Sequence, residues 1–130
     1  MTRMSPAEAF VETLLAQGVE QVFGMLGTGF LPAMDLFDLA GIRFVSVVHE
    51  QTAAHMADGY ARSSGKHGVV AVQNGPGVTN LVTGIATAYW AHSPVVAITP
   101  ESPTTDIGRG GLQECDQMPL FQSITKYQVH

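Results

Sequence analysis

One cysteine in 130 residues, Cys115, rules out an intrachain disulfide framework and leaves the redox compartment otherwise unspecified. Basic residues are scarce too. Six Lys and Arg stand against eleven Asp and Glu. Arg3, Arg43, Arg62, Lys66, Arg109 and Lys126 are scattered rather than grouped, so the electrostatic footprint of a nucleic-acid-binding face is missing. No apolar run is long enough to cross a bilayer or to form a signal core, and the first residues lead into a segment carrying Glu8 and Glu12. These absences predict a soluble, cytoplasmic chain with neither nucleic-acid nor membrane partners. No low-complexity linker or internal repeat divides the chain, so residues 1–130 are expected to form one domain. A composition of 45% hydrophobic and 13% charged residues suits a compact α/β core.

Helix-period and strand-like segments alternate along the chain, an order that favours an open parallel sheet with helices on both faces. Ser5, Pro6 and Glu8 supply a capping serine, a proline at the first helical position and a glutamate that can reach back; Gly18 offers a left-handed stop. A short strand is expected over 21–25, then glycines at 24, 27 and 29, then a helical stretch with Leu31, Met34, Leu36 and Phe37 that Gly41 ends. Residues 42–48, 69–73 and 95–99 are β-branched runs almost free of charge, the composition of strands covered on both faces, and are expected to be central strands. Longer helices are expected over 50–64 and 76–91. A glycine-rich loop through Gly111 and a short helix over 116–122 follow Pro100.

The unusual residues fall after the strands, where ligands bind in open parallel sheets. Three loops stand out: residues 24–29 with three glycines, His49-Glu50, and Asn74-Gly75-Pro76-Gly77. Glycines there either let a ligand approach closely or only turn strand into helix. Spacing removes the common alternatives. Residues 24–29 do not form the G-x-G-x-x-G dinucleotide pattern, and no acidic residue follows in the right relation. Gly65-Lys66 is followed by His67 where a phosphate-binding loop needs Ser or Thr. His49-Glu50 begins like a zinc-protease motif, but Ala53 stands where its second histidine belongs, and His55 lies on another helical face. Cys115 has no basic partner that would make it a nucleophile. His67, His92 and His130 carry no signal beyond loop or surface placement.

Glu50 differs because it directly follows an apolar strand, where a carboxylate enters the crevice. Ala53, Ala57 and Ala61 recur every four residues after it, and Gly84, Ala88 and Ala91 give the later helix a similar smooth face. Spacing alone leaves two readings open for these faces: close α/β packing within the domain, or a tight subunit interface that buries a functional site.

The segments HEQTAAHMADGYARSSG (49–65), NGPGVTN (74–80) and GIATAY (84–89), with the early Phe23-Gly24 loop, Gln113-Glu114 and Ile124-Thr125-Lys126, closely resemble the pyrimidine-binding domain of the acetolactate synthase group of thiamine-diphosphate enzymes. Within that group QNGPG (73–77), AYWAHSP (88–94) and IGRGGLQECDQMPLF (107–121) are most similar to an acetyltransferase branch acting on sulfoacetaldehyde. The resemblance implies that Glu50 hydrogen-bonds a ring nitrogen of the cofactor's aminopyrimidine and so promotes loss of the thiazolium carbon proton. That carbon then attacks a carbonyl, and the cofactor serves as electron sink. It further implies that Gly27, Thr28 and Gly29 border cofactor or substrate, that Gly75, Pro76, Gly77 and Asn80 shape the cofactor and subunit contact, and that Gln113 lies near the substrate channel. In that branch sulfoacetaldehyde and phosphate become acetyl phosphate and sulfite; decarboxylation and carboligation of pyruvate is the enzymatic alternative.

Domains of this group continue through another helix and strand, and a separate domain carries the motif that holds Mg2+ and diphosphate. The chain is therefore expected to be incomplete at its C-terminus. It is expected to be inactive alone, and to work as a homo-oligomer or with a separate diphosphate-binding subunit on a small carbonyl substrate. A non-catalytic interaction domain is the alternative from another class.

Overall fold

The computed structural model describes residues 3–130. Helix α1 (Pro6–Ala16) opens with the expected reciprocal cap: the Glu8 N–H donates to Ser5 Oγ at 3.2 Å, and the Glu8 carboxylate accepts the Ser5 N–H at 2.7 Å. Strand β1 (Gln21–Met25) follows, then a 3-10 turn (Thr28–Phe30) and the short helices α2 (Leu31–Met34) and α3 (Phe37–Ala40). Next come β2 (Arg43–Ser46), α4 (Glu50–Ser64) and β3 (Gly68–Val72). The chain closes with α5 (Pro76–Thr79), α6 (Val82–Trp90), β4 (Val95–Ile98) and α7 (Met118–Phe121).

All strand pairs are parallel, in the order β2-β1-β3-β4. Alternation of side chains along each strand builds two cores. Val70 and Val72 of β3, with Phe23 of β1, meet Ala53, Ala54 and Ala57 of α4, Val78, Leu81 and Ile85. On the other face Val69, Ala71 and Val22 meet Val11 and Leu14 of α1, Ala33 and Phe37. Helices thus cover both faces, as the apolar runs predict.

Two expectations need correction. Of the three runs expected to be central strands, 69–73 has a neighbour on both sides; β2 pairs with β1 alone, β4 is the last strand on the other side among the described residues, and β1 is the second strand with two neighbours. Val96 and Ala97 of β4 are exposed. An apolar run records that a strand prefers burial and cannot say whether a neighbour lies on both sides. The expected helix over 76–91 is two helices, because the Leu81 N–H turns back to the Val78 carbonyl at 3.0 Å in a tightened turn.

Helix α4 lies against β1 and β3 and packs on α6. Its ion pair is local and half-buried: Arg62, itself exposed, donates Nε and Nη2 to the two oxygens of the buried Asp58 at 2.9 and 2.7 Å. Burial alone would raise the Asp58 carboxyl; the guanidinium overrides it and holds the group below its ordinary range. A carboxylate with a depressed folded pKa adds stability above the unfolded value of about 3.9, and that stability is lost as pH falls through the folded value. The wild-type protein should therefore lose stability below about pH 4 more steeply than Asp58→Asn, which lacks the titrating group. Chemical denaturation at stepped pH checks this; superimposable acid limbs would show that the pair contributes nothing to the acid transition.

Candidate functional site

Four parallel strands put all their carboxyl ends on one edge of the sheet, and the ladder runs on into the loops there. The Val47 N–H donates to the Gly24 carbonyl at 3.0 Å, and the Gln73 N–H to the Met25 carbonyl at 3.2 Å. Strand order reverses between β1 and β3, so the loop after β1 and the loop after β3 leave toward opposite faces and open a crevice between them.

Glu50 is the first residue of α4 and is buried, with 9% of its surface exposed. The helix cap is not its task. His49, in extended backbone at the N-cap, accepts the Gln51 N–H on Nδ1 at 3.2 Å. The Glu50 carboxylate instead reaches α5: Oε2 accepts from Asn80 Nδ2 at 2.9 Å. Oε1 has no protein donor among the described residues and lies 3.3 Å from where a Cβ on Gly77 would stand. Thus one oxygen is fixed by the protein and the other is left for a ligand, with Gly77 keeping the space beside it clear.

Gln73, the first residue after β3, joins the remaining loops. Its Cβ sits 3.5 Å from that same Gly77 position, while its Oε1 is buried against Gly27 with no donor. Its Nε2 donates to Asn74 Oδ1 and, at 3.2 Å, to Gln113 Oε1. Asn74 is buried, and its Nδ2 donates to the Gln113 carbonyl at 3.2 Å. Gln113 itself has φ +61, a left-handed conformation unusual outside glycine. Gly75, at φ +60, is glycine for two reasons: the dihedral, and the Gln113 carbonyl 2.4 Å from where its Cβ would be. Beyond Gln113 the Glu114 carboxylate accepts the N–H groups of Gly108 and of Gly111, the latter at 2.8 Å; these bonds hold its carboxyl below the ordinary range.

Of the residues singled out from sequence, the structure brings Glu50, Gly77 and Asn80 into one group and Gly27, Gly75 and Gln113 into a second, with Gln73 touching both. Thr28, Gly29 and Pro76 make no hydrogen bond to Glu50, which is held by Asn80; Gly29 lies beside Pro100, and Thr28 and Pro76 are exposed. Sequence reasoning singled out the Asn74–Gly77 loop but gave neither Gln73 nor Asn74 a role of its own in the site. The small faces find partners inside the chain: Ala53, Ala54, Ala57, Ala61, Gly84 and Ala88 are all buried, and the Gly84 backbone closes on Ala54.

A concavity of about 560 Å³ lies elsewhere, between α6, β4 and residues 117–129. Its walls include none of Glu50, Gln73 or Asn80 and bring no cluster of acids and bases together, so the crevice is the better candidate. Among the described residues no three His, Cys, Asp or Glu side chains converge as a metal set, and no helix is long and apolar enough to cross a membrane.

Residues 4–120 match the family described as thiamine pyrophosphate enzyme, N-terminal TPP binding domain. Sulfoacetaldehyde acetyltransferase of Alcaligenes xylosoxydans xylosoxydans is 64% identical over 98% of the chain, and that of Castellaniella defragrans 62% over 98%. A probable acetolactate synthase large subunit of Methanocaldococcus jannaschii is 48% identical over 95%. In each case the chain spans 21% of the relative's length. The chain therefore belongs to the thiamine pyrophosphate enzyme family, as an N-terminal TPP binding domain.

Proposed function

We infer that this domain supplies Glu50 to the cofactor of an enzyme that converts sulfoacetaldehyde and phosphate to acetyl phosphate and sulfite. The observation that carries the reading is the divided Glu50 carboxylate: Oε2 fixed by Asn80 at 2.9 Å, Oε1 without a protein donor in the crevice at the strand-order reversal. The residues fit an aminopyrimidine. A buried carboxylate with one free oxygen can accept or donate a hydrogen bond at a ring nitrogen, and Gly77 leaves space for a flat ring to approach. When bound, thiamine diphosphate supplies a nucleophile toward a carbonyl carbon and an electron sink.

Everything else falls to the chain's own side chains. Glu50 would hold and move a proton at Oε1; Asn80 fixes its rotamer; Gly27, Gly75 and Gln113 form the wall beside it. Diphosphate and Mg2+ would be held by a separate part of the enzyme, on the same polypeptide or another, in a second copy or a dedicated subunit. The names of the relatives at 64% and 62% identity support sulfoacetaldehyde over pyruvate. Acetolactate-type carboligation stays the second reading because a relative of that name reaches 48%.

The test is product analysis of the active enzyme supplied separately with sulfoacetaldehyde plus phosphate and with pyruvate. Phosphate-dependent release of sulfite with acetyl phosphate is expected. Acetolactate from pyruvate without sulfite release would replace the acetyltransferase reading by the second one, and neither product would remove the enzymatic reading.

A further inference from the structure

The amides of Gln73 and Asn74 tie residues 108–117 to the turn after β3, and nothing in the sequence motifs gives these two side chains a task. Gln73 meets the loop after β1, the turn after β3 and the Gln113 loop. Its Cβ shares the Gly77 position with Glu50 Oε1, its Oε1 lies on Gly27, and its Nε2 reaches Gln113. Both Nε2 protons are spent on oxygens, one of Asn74 and one of Gln113, which fixes the orientation of the amide and leaves Oε1 as the buried oxygen without a donor. Asn74 completes the ring by donating to the Gln113 main chain. A non-glycine residue persists at φ +61 only when its surroundings hold it there, and these bonds are the ones that reach Gln113 from outside its own loop.

We propose that Gln73 and Asn74 are positioning residues: together they latch Gln113 against Gly75 and so set the wall of the crevice on which the carbonyl substrate is oriented, without acting on Glu50. The proposal rests on the reading of Glu50 as the residue that serves the cofactor. It separates two tasks that a single crevice could have merged. Glu50 is fixed by Asn80 from α5, whereas the wall is fixed by Gln73 and Asn74, and no hydrogen bond joins the two sets. Loss of the latch should therefore loosen substrate orientation and leave proton movement at Glu50 intact.

Gln73→Met tests this in the active enzyme, because methionine has a similar length, packs beside Gly27, and removes both the donor and the unpartnered acceptor. A melting temperature within a few degrees of wild type is expected, since removal of the unpartnered Gln73 Oε1 offsets the loss of the donor to Asn74 Oδ1. Amide hydrogen exchange in peptides covering 106–117 should quicken at least tenfold, KM for sulfoacetaldehyde should rise at least tenfold, and exchange of the cofactor's C2 proton should stay within threefold of wild type. Asn74→Asp is the second variant. It keeps the acceptor toward Gln73 and loses the donor toward Gln113, so it should show the same pattern should the methionine variant fold poorly. A folded variant with unchanged amide exchange and unchanged KM overturns the latch. A collapse of C2-proton exchange overturns the separation of tasks. If instead Glu50→Gln leaves C2-proton exchange at the wild-type rate, the reading of Glu50 fails, and the amide-exchange arm still decides the latch on its own.

Discussion

Glu50→Gln in the active enzyme should lower turnover by about 10²–10⁴-fold, the range that general acid–base catalysis contributes, and shift the melting temperature by only a few degrees. The expectation follows from which oxygen is held. Glutamine can turn its single carbonyl oxygen toward Asn80 Nδ2 and keep that 2.9 Å bond. Its NH2 then stands where Oε1 stood, so an atom that could accept a hydrogen bond or carry a proton becomes one that only donates. The fold loses little, because the helix N-terminus is capped by His49 and not by the replaced side chain. A carboxylate present only for capping predicts the reverse pattern, a stability loss of about 0.5–2 kcal/mol with near-normal turnover. The deciding measurement is C2-proton exchange of bound thiamine diphosphate at equal cofactor occupancy. Equal rates in wild type and variant would reject the role of Glu50, whatever happens to overall turnover.

Local signals were legible in the sequence to the extent that their physics is local. The capping box at Ser5 and Glu8 depends on groups three residues apart, and α4 begins where the apolar run gives way to Glu50 and stops before Gly65 at φ +72, so both helices emerge close to their expected bounds. Glu50 was legible for a related reason: a carboxylate at the end of an apolar strand must enter the crevice of a parallel sheet. Edge and centre were not legible. Phe44 and Val45 of β2 are as apolar as Val69 and Val70 of β3, yet among the described residues β2 pairs with β1 alone. The division of 76–91 into two helices was hidden as well, since Asn80 and Leu81 both keep right-handed helical dihedrals and nothing in their composition marks a break. The latch joins Gln73 to Gln113 across 40 positions. Glutamines that far apart carry no periodicity and no shared motif, so only their meeting in space reveals them.

The small faces of α4 and α6 allow the second large effect to be tested by exchange of one methyl group. Gly84→Ala should destabilise the protein by about 3 kcal/mol or more, at the upper end of what overpacking costs. A Cβ on Gly84 would lie 2.3 Å from the Ala54 Cβ, and both residues are buried in the contact between the helices, so neither has a free direction in which to move. The next atoms of Ala54 are at 3.4 Å, an ordinary contact. Removing the opposing methyl should therefore relieve the clash, and Ala54→Gly/Gly84→Ala should return close to wild-type stability. The helix-propensity loss of about 1 kcal/mol at position 54 is matched by a similar gain at position 84. The two changes should couple by about 4 kcal/mol in a double-mutant cycle of denaturant midpoints, about 3 from the clash and about 1 from the propensity lost in Ala54→Gly alone. Additive effects would mean that the helices slide apart at little cost and that the close approach is not what holds them. The same pair bears on the site, because α4 carries Glu50 and the chain enters α6 two residues after Asn80. A displacement of the helices lengthens the Asn80–Glu50 bond first, so the single variant should lose activity at temperatures where it is still folded, and the double variant should recover it.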